Sequence, residues 1–115
     1  MIYICHMALP APVLQILITL ADGERHGYAI MQDVADRTDG ALRLGPGTLY
    51  GSIKRMLNDG LIVESERRPA AADDDPRRRY YRITSRGRKA ATEELGRLAK
   101  LVRQGRALGL AAKTS

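Results

Sequence analysis

At 115 residues the chain is bounded to one small domain with one modest hydrophobic core. It carries 19 Lys and Arg against 13 Asp and Glu, and the net charge of +6 favours an anionic partner, nucleic acid or an acidic surface. There is no Phe or Trp, so the core must come from Leu, Ile, Val, Met and Ala with help from Tyr, and a single cysteine, Cys5, excludes an internal disulfide and a thiolate metal cluster.

The cations are unevenly placed. Eleven of the 19 lie between Arg77 and Arg106, where the only acids are Glu93 and Glu94. Met1–Leu9 is mildly apolar but lacks a basic start and a cleavage site, so it does not read as a secretion signal. Val13–Leu20 is too short to cross a bilayer. A soluble cytoplasmic protein is expected. No nucleophile–base pair, phosphate loop or metal-ligand spacing is present, so no catalytic site, metal or cofactor is expected either.

Residues 1–10 read as a flexible arm. Pro10 and Pro12 mark the start of a first helix, roughly Ala11–Ala21, where Pro12 is tolerated in the first turn. Val13, Ile16, Leu17 and Leu20 face inward, and Leu14 and Ile18 are left on other sides. A helix apolar nearly all round is buried by more than its own domain, so Leu14 and Ile18 are expected in a subunit contact. Asp22–Arg25 reads as a turn, and His26-Gly27-Tyr28 opens a second helix running to about Thr38, with Ile30, Met31 and Val34 inward. His26 reads as a turn or cap residue in preference to a metal ligand, since Cys5 and His6 complete no motif. Asp39-Gly40 ends the helix, and Leu42 and Leu44 anchor a short link.

Gly45–Ile62, GPGTLYGSIKRMLNDGLI, is the third helix with a sharp start and stop. Pro46 suits a first turn and Gly60 a left-handed C-cap. Leu49, Ile53, Met56 and Leu57 recur as one buried stripe, and Thr48, Gly51, Lys54, Arg55 and Asn58 fall opposite. Most such faces are simply solvated. This one also has the chemistry wanted in a DNA major groove: Lys and Arg for guanine and phosphate, Asn for adenine, Thr for either.

Leu61–Arg67 and Arg79–Thr84 read as two strands joined by a loop of turn composition, Pro69–Pro76. Tyr80 and Tyr81 point to opposite strand faces, so one is expected in the core and one partly exposed. Thr84 reads as the N-cap of a last helix from Ser85 to about Leu108. Ala91, Leu95, Leu98 and Val102 form a seam with Leu101 beside it, and Gly87, Gly96 and Gly105 weaken the helix. Such a helix is marginal alone, so its seam needs a partner. The fold class expected is mainly α with a small β-hairpin, a winged helix-turn-helix followed by a long C-terminal helix. Residues 11–84 would form the DNA-binding domain, 85–108 the dimerisation helix and 109–115 a disordered tail.

HGYAI at His26–Ile30, GTLYGSIKRMLNDGLI at Gly47–Ile62 and RRYYRITSRGRKA at Arg78–Ala90, in this order, resemble the PadR family of bacterial transcriptional regulators, specifically its smaller subgroup. The resemblance covers roughly Val13–Leu101. It implies a homodimeric winged helix-turn-helix repressor whose last helix dimerises. Two features depart from the family pattern. Gly51 stands where a Pro often follows the tyrosine, and the wing tip Asp73-Asp74-Asp75 is acidic where a phosphate contact wants cations.

The expected DNA contacts are Thr48, Lys54, Arg55 and Asn58, with Tyr50, Tyr28, Arg77, Arg78 and Arg79 toward the backbone. Tyr50 has an equal second reading, packed under the start of its helix, and Arg77–Arg79 could be a solubilising run on an edge strand. Leu14, Ile18, Leu95, Leu98, Leu101 and Val102 are the expected dimer contacts. The function expected is a sequence-specific DNA-binding regulator, a repressor on a palindromic double-stranded operator, with room for release by a small hydrophobic effector between the first and last helices. The rival is a winged-helix protein–protein adaptor whose basic surface meets an acidic partner.

Overall fold

A computed structural model describes residues 8–65 and 79–110. The element order is α1 (Ala11–Asp22), β1 (Arg25–His26), α2 (Gly27–Arg37), α3 (Pro46–Asn58), β2 (Ile62–Ser65), β3 (Tyr80–Ile83) and α4 (Ser85–Ala107). The three strands form an antiparallel sheet in the order β1-β3-β2. This is a mainly helical winged helix with a long last helix, as the pattern predicts.

The core is aliphatic. Val13, Ile16, Leu17 and Leu20 of α1 meet Ile30 and Val34 of α2, Leu49, Ile53 and Met56 of α3, and Ile62, Tyr81 and Ile83 of the sheet. Leu57 is a correction: it is 36 % exposed, outside the α3 stripe that the spacing assigns it to. Leu9, expected in the arm, is buried in this core. Residues 1–7 and 111–115 lie outside the described residues, and Gly109 and Leu110 close the end of α4.

Helix ends carry much of the topology. In α3, Leu61 N–H donates to the Met56 carbonyl and Gly60 N–H to that of Leu57, with Gly60 at φ +76°. This pairing is the Schellman arrangement, and it turns the chain directly into β2. At the end of α2 the same two bonds run from Gly40 to Ala35 and from Asp39 to Asp36, with the left-handed position held by Asp39 at φ +51°. Aspartate meets a steric cost there that glycine does not. Asp39→Gly is expected to raise the unfolding free energy by about 1 kcal/mol, read as a higher urea midpoint at unchanged slope.

The start of α4 is locked to the end of α3. Thr84 Oγ1 accepts from Gly87 N–H (3.0 Å) and donates toward the Gly60 and Leu61 carbonyls (2.6 and 3.0 Å), while Thr84 N–H also reaches the Leu61 carbonyl. Gly87 is required by this close approach: a Cβ there would overlap the Leu61 carbonyl oxygen and stand 2.9 Å from Ile83 Cγ1. Ala91 and Glu94 are the last buried residues of α4, and from Leu95 to Ala107 only Leu98 and Gly105 are even half-buried within the chain.

β1 is an element that the spacing does not announce. Arg25 pairs with Tyr81 and His26 with Tyr80, so part of the expected turn and the first residue of the expected second helix become a third strand. Tyr81 is buried and Tyr80 half-buried, as the alternation predicts.

Candidate nucleic-acid interface

α3 presents Thr48, Tyr50, Gly51, Lys54, Arg55 and Asn58 on its outer side, all exposed. Thirteen residues span about 20 Å, and Leu57 joins this face beside Lys54. Leu57 is a contact candidate missed by periodicity, because stripe-edge positions are decided by what packs over them. No side-chain ion pair ties down Lys54 or Arg55 among the described residues.

The two tyrosines sit near the start of α2. A Cβ at Gly27 would stand 2.6 Å from the Tyr50 hydroxyl oxygen and 3.0 Å from its Cζ, so the phenol lies over the first turn of α2 while half its surface stays open. Tyr50 therefore packs on the start of α2, not under the start of its own helix, and keeps half of its surface exposed. His26 is the N-cap of α2, its Nδ1 accepting from Ala29 N–H (3.2 Å), and its ring meets Tyr80 edge-on at 5.4 Å. Tyr28 is 53 % exposed, with its hydroxyl accepting from Gln32 Nε2. A helix N-terminus flanked by two half-exposed tyrosines is suited to a backbone phosphate.

At the wing, Arg79 grips both carboxylate oxygens of Glu64 on the neighbouring strand (3.0 and 3.2 Å). Its side chain remains 67 % exposed, and exposed pairs of this kind contribute little. Arg82 extends outward on β3, a cation the motif reading did not single out although strand alternation places it on the open face. Arg77, Arg78 and Asp73–Asp75 lie outside the described residues. Burial holds the Tyr81 phenol above its ordinary value, helped by Glu64.

Of the expected dimer contacts, Leu95, Leu101 and Val102 are exposed by 44, 49 and 43 %, and Leu98 is half-buried. Leu14 packs at the edge of the core, and Ile18 is half-buried. A groove of about 340 Å³ is lined by Ile18, Thr19, Asp22, Arg25, Asp33, Asp36 and Arg37. It lies between α1 and α2, not between α1 and α4, and its charged walls differ from the apolar cavity expected for an effector. No helix among the described residues is long and apolar enough to cross a membrane, and no group of three or more metal-ligating side chains is found there.

Glu94 is a buried acid at the junction of α4 with Leu9. Arg97 donates to both of its oxygens (3.0 and 2.7 Å). Those hydrogen bonds hold its pKa below the ordinary 4.5, burial opposes them, and the Leu9 backbone adds to them. A depressed pKa stabilises the fold above pH 4.5, and that contribution is lost as the pH falls through the folded value. In urea titrations, the stability gap between the wild type and Glu94→Gln should therefore narrow as the pH is lowered below 4.5.

The sequence profile of the transcriptional regulator PadR-like family matches residues 16–93. The chain belongs to the PadR-like family. It is 38 % identical over 91 residues to the transcriptional regulator Rv3488 of Mycobacterium tuberculosis, covering 79 % of this chain and 78 % of that one. A transcriptional regulator from Clostridium thermocellum superposes with TM-score 0.65 at 28 % identity, covering 81 % of this chain and 87 % of that one. A PadR-like transcription factor from Bacteroides fragilis does so with TM-score 0.66 at 22 % identity, covering 84 % and 87 %, and shares the fold. As a PadR-like protein the chain is a transcriptional regulator, and DNA binding is the supported means of regulation.

Proposed function

We propose that this PadR-like protein is a homodimeric repressor that reads a palindromic operator through α3. The observation carrying this reading is the outer face of α3, where Thr48, Lys54, Arg55 and Asn58 stand exposed on a helix fixed at both ends. In a winged helix, that helix enters the major groove and its outward side chains reach base edges. Tyr28, Tyr50 and the start of α2 hold the backbone on one side of the groove. Arg77–Arg79 add further backbone contacts, giving salt-dependent affinity.

In this reading, residues 11–84 bind DNA and residues 85–108 dimerise. Leu95, Leu98, Leu101 and Val102 form the seam, with Leu14 and Ile18 of α1 beside it. Two-fold symmetry sets the recognition helices about 34 Å apart, one turn of DNA, and repression follows from occupying the promoter. Release by a small hydrophobic effector would need a cavity formed between protomers, because the α1–α2 groove is charged.

Hydroxyl-radical footprinting on the region upstream of the gene tests this reading. Two protected patches related by a dyad, about one turn apart, are expected. A single patch, or protection with no dyad, contradicts the dimeric operator.

A further inference from the structure

We infer that Gly51 sets how deeply α3 seats in the major groove, so that the short side chains around it reach base edges only because position 51 carries none. The inference rests on the α3 reading above and adds a positioning residue to it.

Glycine inside a helix is costly, because its backbone gives up more freedom on folding than that of any other residue. Where this fold needs one, the reason is visible. A Cβ at Gly27 would stand 2.6 Å from the Tyr50 hydroxyl oxygen, one at Gly87 would overlap the Leu61 carbonyl oxygen, and Gly60 holds a φ of +76°. Gly51 has no such reason. Its φ is not positive, and no other part of the described chain comes within 4 Å of where its Cβ would stand. Gly45 and Gly47 are as open, but they belong to the cap and first turn of α3; Gly51 alone interrupts its middle. The fold loses helix stability at this position and gains no contact in return.

The gain lies outside the chain, and helical geometry says where. At about 100° per residue, Gly51 lies within about 20° of Asn58, 40° of Arg55 and 60° of Thr48 and Lys54. All five are exposed. Gly51 is thus at the middle of the outward face, where a helix laid in the groove comes nearest to the base edges. Hydrogen bonds to those edges hold over only about 2.7–3.2 Å. A methyl group at position 51 would hold the helix off by about 1.5 Å, one carbon–carbon bond. Long side chains such as Lys54 and Arg55 can re-extend across that gap; the short Thr48 and Asn58 cannot. Phosphate contacts carry the non-specific affinity and need no such seating, so Gly51 acts on the operator and not on DNA in general.

The test compares Gly51→Ala with Gly96→Ala in the full chain. Gly96 is also exposed with open space at its Cβ, but it is on α4, about 120° or more around the helix from Leu98 and Val102. Urea unfolding gives stability, and fluorescence anisotropy gives affinity for a duplex from the chain's own upstream region and for a scrambled one. Both variants should be more stable than wild type, with the unfolding equilibrium shifted up to about fivefold toward the folded state. Gly51→Ala alone should bind the native duplex about tenfold or more weakly, with its affinity for the scrambled duplex held within about twofold. Native-duplex affinity unchanged by Gly51→Ala, lost equally on both duplexes, or lost equally in Gly96→Ala overturns the inference and leaves the α3 reading to Lys54→Ala. A Gly51→Ala protein less stable than wild type also overturns it, because the chain itself would then need the glycine. A wild type that binds both duplexes equally overturns the α3 reading and the inference together.

Discussion

Gly87→Ala should destabilise the protein by about 3 kcal/mol. The new methyl group would occupy the space of the Leu61 carbonyl oxygen and press on Ile83. That carbonyl cannot swing away cheaply, because it accepts from both the backbone N–H and the hydroxyl of Thr84, the cap of α4. Relief by moving α4 would strip the cap and open the sheet beneath it. Thermal melts followed by circular dichroism check this; a variant melting within a few degrees of wild type would show that the α3–α4 junction yields more easily than its hydrogen bonds imply.

Val102→Lys should separate the protomers without unfolding them. Val102 is 43 % exposed and lies two turns past the last buried residue of α4, so no core contact is lost. In the proposed dimer the substitution occurs twice near the axis, replacing buried methyl groups with ammonium ions on a helix that is already cationic. A rise in the dimer dissociation constant of about 100-fold, near 3 kcal/mol, is expected. Operator affinity should fall with it, since a lone protomer holds one half-site. Light scattering after size exclusion reads the mass directly. An unchanged mass would mean that this face of α4 is not the interface.

Much of this fold was legible because its boundaries are local. Pro46 opens α3 through its fixed φ, while Gly60 closes α3, Asp39-Gly40 ends α2 and Thr84 caps α4 by hydrogen bonds within a few residues. What escaped depends on chain segments far apart. β1 is two residues with no alternation to see; it exists because β3 offers Arg25 and His26 a second edge at Tyr81 and Tyr80. Gly87 and Gly96 look alike in sequence, yet one faces the Leu61 carbonyl and the other has nothing within 4 Å of where a Cβ would stand. Glu93 and Glu94 are likewise adjacent acids, and only Glu94 is buried, where Arg97 reaches it.

The candidate site divides in the same way. The exposed face of α3 follows from helical arithmetic and could be named residue by residue. Leu57 broke that arithmetic at the edge of the stripe. The dual position of Tyr50, packed on Gly27 and still open, needed the second helix in place.

Whether α3 reads DNA sequence is decided by one titration. Fluorescence anisotropy of a duplex from the chain's own upstream region would be followed against a scrambled duplex, with wild type and with Lys54→Ala. Tight binding of wild type to the native duplex is expected, weakened about tenfold or more by scrambling and again by Lys54→Ala, ~1.4 kcal/mol each. Equal, weak binding to both duplexes, unmoved by Lys54→Ala, would contradict sequence readout: the positive charge would then be generic, and a protein partner would become the better reading of this surface.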